Sequence, residues 1–416
     1  MLVPVLGAVL ALAAQDTVFL TLPQTVMRVA AVSPSVASAT GAVHAPRGAR
    51  AESILPFPSP ATVQFSRLRR TGPGVEGFDR SWSIRQEIDI TGQSFLSASA
   101  AGKRAAAAEI RVDDAQRLAE LEGRLAYVRL AVAEQRVAVL AAAARTSEQL
   151  ADIARRQLEA GAINRLEANA ALLDAGRQRS ITDRALAEQA AAAAAADLGR
   201  LLALAADSIP HTTGLTALPD GAPPGLSKLL TVAISRRPDL AAAEQELAGA
   251  RTGLTASRLG QLPRLEVGVD WGSEFAETLR GFTIGLRVPL FQRNQAARGL
   301  ARAERARSAA EADATRRRIQ AEVTEARERW LRARAAERRL ADDVLRAAEE
   351  NVALSQRAVE EGRAGIPDVL VFRSVAVAAK VEYLDVLRDA HAAWFSLASA
   401  LGVSVAELER FGGSAR

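Results

Sequence analysis

A strand that runs straight into a very long helix is an uncommon joint, and this chain makes it twice. In Phe282–Leu300 (FTIGLRVPLFQRNQAARGL), Phe282, Ile284, Leu286, Val288 and Leu290 alternate with Thr283, Gly285, Arg287 and Pro289. One face is apolar and the other polar or small, the period of a half-buried strand. Beyond Asn294 the pattern turns within a few residues into an Ala/Arg/Glu helix. The same joint stands at Ser81–Gln93 (SWSIRQEIDITGQ), ahead of another Ala-rich helix.

The joints belong to two copies of one unit: short helix, strand, turn, strand, long helix, sharp turn, return helix. The first copy covers 15–206. Leu20–Glu52 reads as a helix interrupted at Pro34, and a Pro-rich link, Ile54–Pro60, leads to a β-hairpin over 61–91. There Val63 and Phe65 oppose Thr62, Gln64 and Ser66, while Trp82, Ile84, Ile88 and Ile90 oppose Ser83, Arg85, Glu87 and Asp89. A helix from Ser97 to Leu158 follows, with Leu118, Leu121, Leu125, Val128, Val132 and Val139 on a seven-residue spacing. At 1.5 Å per residue, roughly 60 residues reach on the order of 90 Å, far beyond an ordinary globular helix. The chain turns near 161 and returns through Arg165–Ala205.

A Pro/Gly-rich linker, 207–225, separates this copy from the second, 226–404. Leu226–Ala256 reads as a helix whose Arg237-Pro-Asp echoes Ser33-Pro-Ser. The second hairpin, 264–291, sets Leu265, Val267, Val269 and Trp271 against Glu266, Gly268 and Asp270. A single long helix, Ala296–Glu360, carries an apolar stripe in sevens, an interruption falls near 362, and a return helix runs to Leu401. Strict sevens imply left-handed supercoiling against neighbours. Residues 405–416 read as a C-terminal tail.

Composition narrows what such a chain does. With 416 residues and no cysteine, disulfide scaffolds, Cys-ligated metal sites and thiol nucleophiles are excluded. His44, His211 and His391 are scattered without ligand spacing, so no metal site is expected. Nor do paired carboxylates, a Ser/His/Asp set or a phosphate loop stand out, so neither an enzyme nor a cofactor is expected. Net charge is +5, but the arginines interleave with glutamates along helices, the pattern of a solvated helical face and not of a nucleic-acid partner. Leu2–Ala14 is apolar, too short to span a bilayer and closed by small residues, so 1–14 reads as a secretory signal peptide.

Four strands cannot close a barrel, and alone they would present open edges to a membrane. Three chains would pool twelve strands, an allowed barrel size. The helices would then form a wall one helix thick, which accounts for narrow, alanine-rich stripes. The fold class is therefore mainly α with a small β part: long helical hairpins forming a trimeric α-barrel, and four strands per chain in a twelve-stranded barrel.

With these features the chain resembles the TolC-like outer-membrane efflux ducts, over roughly Leu20–Leu401. Arg287–Gln295 (RVPLFQRNQ) is similar to the family's PLPLFDRNQG, typical of its cobalt–zinc–cadmium branch, with Gln292 where the family has aspartate. Gln86–Gln93 resembles the first-repeat version, and Gly362–Leu370 (GRAGIPDVL) the Gly-then-DVL signature of the periplasmic turn. Two departures stand beside the match: the chain lacks the lipidated cysteine of many metal-branch members, and Val371 occupies a place that is often acidic. The resemblance implies a homotrimer in the outer membrane with its helical tunnel in the periplasm. Its implied partners are a periplasmic adaptor, an inner-membrane RND pump and outer-membrane lipid, with heavy-metal cations as cargo. A same-family duct for drugs, solvents or type I secretion is the alternative. A different class, a soluble coiled-coil scaffold or basic nucleic-acid-binding protein, predicts no β signal.

Functional candidates lie at the two ends. Asp368 is read as capping the helix after Pro367 and, in three copies on a threefold axis, as forming an acidic ring attracting cations, two roles that can hold together. Gly161, Gly362 and Gly365 are expected to supply positive φ for the reversals. The family's adaptor contact at this turn implies Arg363, Asn164 and Arg165 there. Asn294 is read as a helix cap and Arg293 as the partner of a carboxylate across a subunit seam. Arg85, Glu87, Asp89, Glu266, Asp270 and Arg287 are expected to line the barrel lumen as a wet, mixed-charge, weakly selective surface.

Overall fold

The computed structural model describes residues 16–72, 75–160, 170–274, 277–291, 293–361, 363 and 365–413. The signal-peptide reading of 1–14 therefore lies outside the described residues. The chain divides into two compact units, one of 37–115 and 236–320, the other of 1–36, 116–235 and 321–416. Each draws on both halves of the sequence.

The first of these units holds the sheet. Strands β2 (Thr62–Gly72), β3 (Val75–Ile88), β5 (Arg264–Glu274) and β6 (Glu277–Arg287) pair antiparallel in the order β2-β3-β5-β6. The ladder between β5 and β6 ends at Arg264↔Arg287. Alternation extends to Leu290 in the sequence, but Pro289 has no N–H to donate, and pairing stops before it. Four helical segments repeat the strand order. Arg47 of α3 (His44–Ser53) binds Glu109 of α4 (Gln93–Glu159) at 2.5 Å. Lys103 of α4 donates to Thr252 of α7 (Pro238–Leu259) at 2.7 Å. Arg316 of α8 (Gln295–Arg339) reaches Glu244 of α7 at 2.8 Å. The layer is thus α3-α4-α7-α8, one helix deep. A Cβ on Gly249 would stand 3.2 Å from the Ala100 carbonyl oxygen, so glycine lets α7 approach α4 closely.

The other unit packs through alanine. β1 (Asp16–Leu20) pairs parallel with β4 (Ser208–Thr212). These strands fall where a helix start and a linker were expected, because five residues carry too little alternation to read. Helix α1 (Leu22–Val32) opens with a reciprocal cap: Gln24 N–H donates to Thr21 Oγ1, and Thr21 N–H to Gln24 Oε1 at 3.0 Å. Leu20, Val29, Ala119, Ala126 and Leu130 pack with Ala195, Leu198 and Leu202 of α5 (Ala170–Leu201) and its end. A Cβ on Gly123 would meet Val29 Cβ at 3.2 Å.

The second long helix is not continuous. α8 gives way to a π-helical turn, Leu340–Leu345, before α9 (Arg346–Glu360). Leu345 and Val352 close on Ala348, Ala376 and Ala379, the last two from α10 (Ile366–Leu401). Trp330 and Trp394 pack at 4.8 Å between ring centroids. Leu226–Ala256 also divides, into α6 (Leu226–Arg236) and α7, because Pro238 cannot donate within a helix but suits its first position. The expected tail contains a helix, α11 (Val405–Gly413). Gly402 ends α10 at φ 68°, and Ser404 and Glu407 form a capping box for α11, Glu407 N–H donating to Ser404 Oγ at 3.2 Å.

Candidate functional site

Register decides which side chains share a face. Glu87 stands opposite Glu266, Ser83 opposite Asp270, and Arg85 opposite Gly268, all on one face. Arg287 reaches that face from the end of β6 and binds both Glu87 and Glu266, the latter at 3.1 Å. Arg264 approaches Glu87 at 3.5 Å, and Arg85 lies 3.7 Å from Asp270. Two glutamates directly opposite would repel, so Arg287 between them is the element that lets the pair stand. Glu87 is 8% exposed and held by two guanidinium groups. The opposite face presents rows that run across all four strands. Val63, Ile84, Val269 and Phe282 form one, and Phe65, Trp82, Trp271 and Arg280 the next. Val269 is 55% and Phe282 81% exposed. A sheet so divided fits a boundary between lipid and water.

Five of the six expected lining residues thus share the charged face. Asp89 does not. It lies past the end of β3, where its Oδ2 accepts the Ser94 N–H at 2.5 Å and its Oδ1 the Thr91 N–H at 2.9 Å and hydroxyl at 2.7 Å. Partial burial raises its pKa, but the hydrogen bonds from Ser94 and Thr91 outweigh this and hold the carboxyl below its ordinary value. A carboxylate whose pKa is lowered on folding stabilises fully above the ordinary value, about 4, and loses that contribution as pH falls through the lower folded value. Asp89→Asn is therefore expected to cost about 1 kcal/mol at pH 7, the scale of a lost cap. The difference in melting temperature between variant and wild type should shrink as the pH is lowered toward 3; a gap that stays constant with pH would contradict it.

The second joint is built otherwise. Asn294 adopts φ 55° and its Nδ2 donates to the Ser257 carbonyl at 2.9 Å, so it ties the joint to α7 instead of capping α8. Arg293 donates to the Leu290 carbonyl at 3.2 Å. A Cβ on Gly260 would meet Asn294 Nδ2 at 2.5 Å, so this approach requires glycine or a moved side chain.

In the other unit, Asp368 accepts the Gly365 N–H at 3.0 Å, the capping geometry, and is exposed. Gly365 has φ −93°, an extended conformation open to any residue, and not the positive φ expected of it. Arg363 is exposed and pairs with Glu361 at 3.2 Å. Gly161, Asn164, Arg165 and Gly362 lie outside the described residues. Beyond the cap, Val371, Phe372 and Val375 are exposed while Val369 is buried.

Sequence reasoning missed two polar clusters. Glu134 receives the Thr212 N–H at 3.2 Å and hydroxyl and lies 2.8 Å from His211 Nδ1, fixing β4 on α4. Arg237, 3% exposed, is clasped by Asp239. Among the described residues no three His, Asp or Glu side chains gather as metal ligands. No single described helix is long and apolar enough to cross a membrane.

Residues 229–403 match the family model described as outer membrane efflux protein. That stretch is less than half of the chain. The chain is 30% identical over 245 residues to the pyoverdine export outer membrane protein OpmQ of Pseudomonas putida. The match takes in 55% of this chain and spans 50% of the length of that relative. Two solved structures share the fold. CusC superposes with a TM-score of 0.75 at 18% identity, covering 92% of each chain. VceC of Vibrio cholerae superposes at 0.74 and 16% identity, covering 92% of this chain and 96% of the other.

Proposed function

We propose that three copies of this chain assemble as the passive exit duct of a tripartite efflux system, receiving cargo from a periplasmic adaptor and an inner-membrane RND pump. The observation that carries this reading is the four-stranded sheet: it has two open edges, β2 and β6, an exposed apolar face and a charged face. Edge strands in lipid must be paired. Sister chains supply the pairing without new sequence, and the one-helix layer continues the same wall below. In the closed ring Arg85, Glu87, Glu266, Asp270 and Arg287 face water, and Asp368 stands near the threefold axis at the periplasmic end. Arg363, Asn164 and Arg165, with Gly161 and Gly362 at the reversals, lie toward the adaptor.

The cargo we infer is heavy-metal cations, on the likeness of Arg287–Gln295 to the metal branch. Passage without tight binding fits a chain with no cysteine and three histidines. A pyoverdine-like organic cargo is the second reading, supported by the 30% identity to OpmQ. Cryo-electron microscopy of detergent-extracted protein is expected to show a threefold ring with twelve strands; a soluble monomer would overturn the reading. Deletion followed by zinc, cobalt, cadmium and copper challenge, with pyoverdine export assayed beside it, separates the two cargoes.

A further inference from the structure

The two faces of the sheet treat arginine differently. On the charged face Arg70 pairs with Asp79 at 2.9 Å, Arg85 with Asp270, Arg264 with Glu87, and Arg287 with Glu87 and Glu266. On the apolar face, toward the hairpin tips, stand Arg67, Arg69, Arg80 and Arg280. All four are exposed, and none has an ion-pair partner among the described residues. Arg67 stands directly opposite Arg80, and Arg69 opposite Phe78. Like charges facing one another across strands destabilise a sheet unless an anion lies between them. Glu76, exposed on the same face, is held in register with Thr71, one row past Arg69, and forms no ion pair with these arginines.

The placement of these arginines is specific. Arg280 continues the row of Phe65, Trp82 and Trp271, in which Trp82 and Trp271 stack at 6.3 Å. Arg67 and Arg80 form the next row, and the Arg67 guanidinium lies 4.0 Å over the Phe78 ring. Rows on one face are about 7 Å apart along the strand. The arginines therefore sit at and just beyond an aromatic belt, at the end of the sheet away from the helices. Aromatic belts mark the level where hydrocarbon meets headgroups, and there a lipid-facing arginine costs only about 0–1 kcal/mol, against about 2–4 at mid-bilayer. Guanidinium forks bind phosphate through two parallel hydrogen bonds.

We propose that Arg67, Arg69, Arg80 and Arg280 form a binding site for the phosphorylated sugar headgroup of an outer-leaflet glycolipid. This rests on the barrel reading above, which turns the apolar face to lipid and the hairpin tips to the outer leaflet. A phosphate on a sugar held at that depth meets several guanidinium groups at once, while its acyl chains lie along Val269 and Phe282. A soluble anion gains no such contact, and a phosphodiester lipid offers one charge to a site built for more.

The test uses the full-length protein purified in detergent, wild type beside a triple variant, Arg67→Gln, Arg80→Gln, Arg280→Gln. Native mass spectrometry would follow titration with bisphosphorylated lipid A, dephosphorylated lipid A, phosphatidylglycerol and inorganic phosphate. The wild-type trimer is expected to bind bisphosphorylated lipid A at least tenfold more tightly than any other probe, and the triple variant to lose that preference while remaining a trimer. Equal binding of dephosphorylated lipid A or phosphatidylglycerol, equal binding of inorganic phosphate, or an unchanged variant would each overturn the site. In those cases the trimer still stands. Wild-type protein recovered as a soluble monomer would instead remove the barrel reading and this site with it.

Discussion

Val269→Arg is expected to keep the protein from accumulating as a membrane trimer. Val269 lies at the centre of the row Val63, Ile84, Val269 and Phe282 and is 55% exposed on the apolar face. An arginine on the lipid side of a barrel costs about 2–4 kcal/mol at the bilayer midplane and about 0–1 near the interface; Val269 lies one row inside the aromatic belt, so its cost falls between these, and a trimer would carry it three times. The same substitution on the opposite face is the control. Ser83 shares its row with Asp270, so Ser83→Arg adds a charge beside a carboxylate in a wet lining and is expected to leave trimer yield within twofold of wild type. Heat-modifiable trimer in the membrane fraction is the readout. Equal loss from both variants, or normal yield from Val269→Arg, would mean that the two faces do not separate lipid from water.

Both faces were legible in the sequence because a strand writes its environment in alternate residues, and each of the four strands is long enough to show it. The long helices were legible for the same reason at a different period. Shorter elements were not. β1 and β4 pair in parallel across nearly the whole first repeat, and neither carries more than five residues of pattern. The π-helical turn at Leu340–Leu345 inserts no residue type that marks it. α11 is a different kind of omission, since Ser404 and Glu407 stand at capping-box spacing and the signal was present but unread. Within the candidate site, the face of Glu87 follows from parity alone. That Asp89, two residues on, turns to Thr91 and Ser94 depends on where the ladder stops, which parity does not contain. Positive φ at Gly365 was inferred from glycine's freedom, yet among the described residues it is adopted by two non-glycine residues, Ala203 and Asn294, the latter with a side-chain bond to Ser257.

The echo between Ser33-Pro-Ser and Arg237-Pro-Asp also has a physical content. In both, the residue before proline bonds to the residue after it: Ser33 Oγ to Ser35 Oγ at 2.8 Å, and Arg237 to Asp239 through two hydrogen bonds at 2.9 and 2.8 Å. One copy closes the helix start with hydroxyls, the other with a charge pair out of water. Asp239 also receives Arg318 at 3.0 Å and sits in the first turn of α7, where the helix dipole favours a carboxylate. Asp239→Ala would leave the Arg237 guanidinium, 3% exposed, without that carboxylate, which costs about 3–5 kcal/mol for a buried pair broken on one side. Replacing both members with the serines of the first copy, Arg237→Ser with Asp239→Ser, removes the buried charge along with its partner. The double variant is therefore expected to be more stable than Asp239→Ala alone, with a coupling of at least about 1 kcal/mol between the two positions. Thermal unfolding of the two variants beside wild type decides it. If the double variant melts below Asp239→Ala, the guanidinium is held by packing of its stem and the carboxylate is incidental.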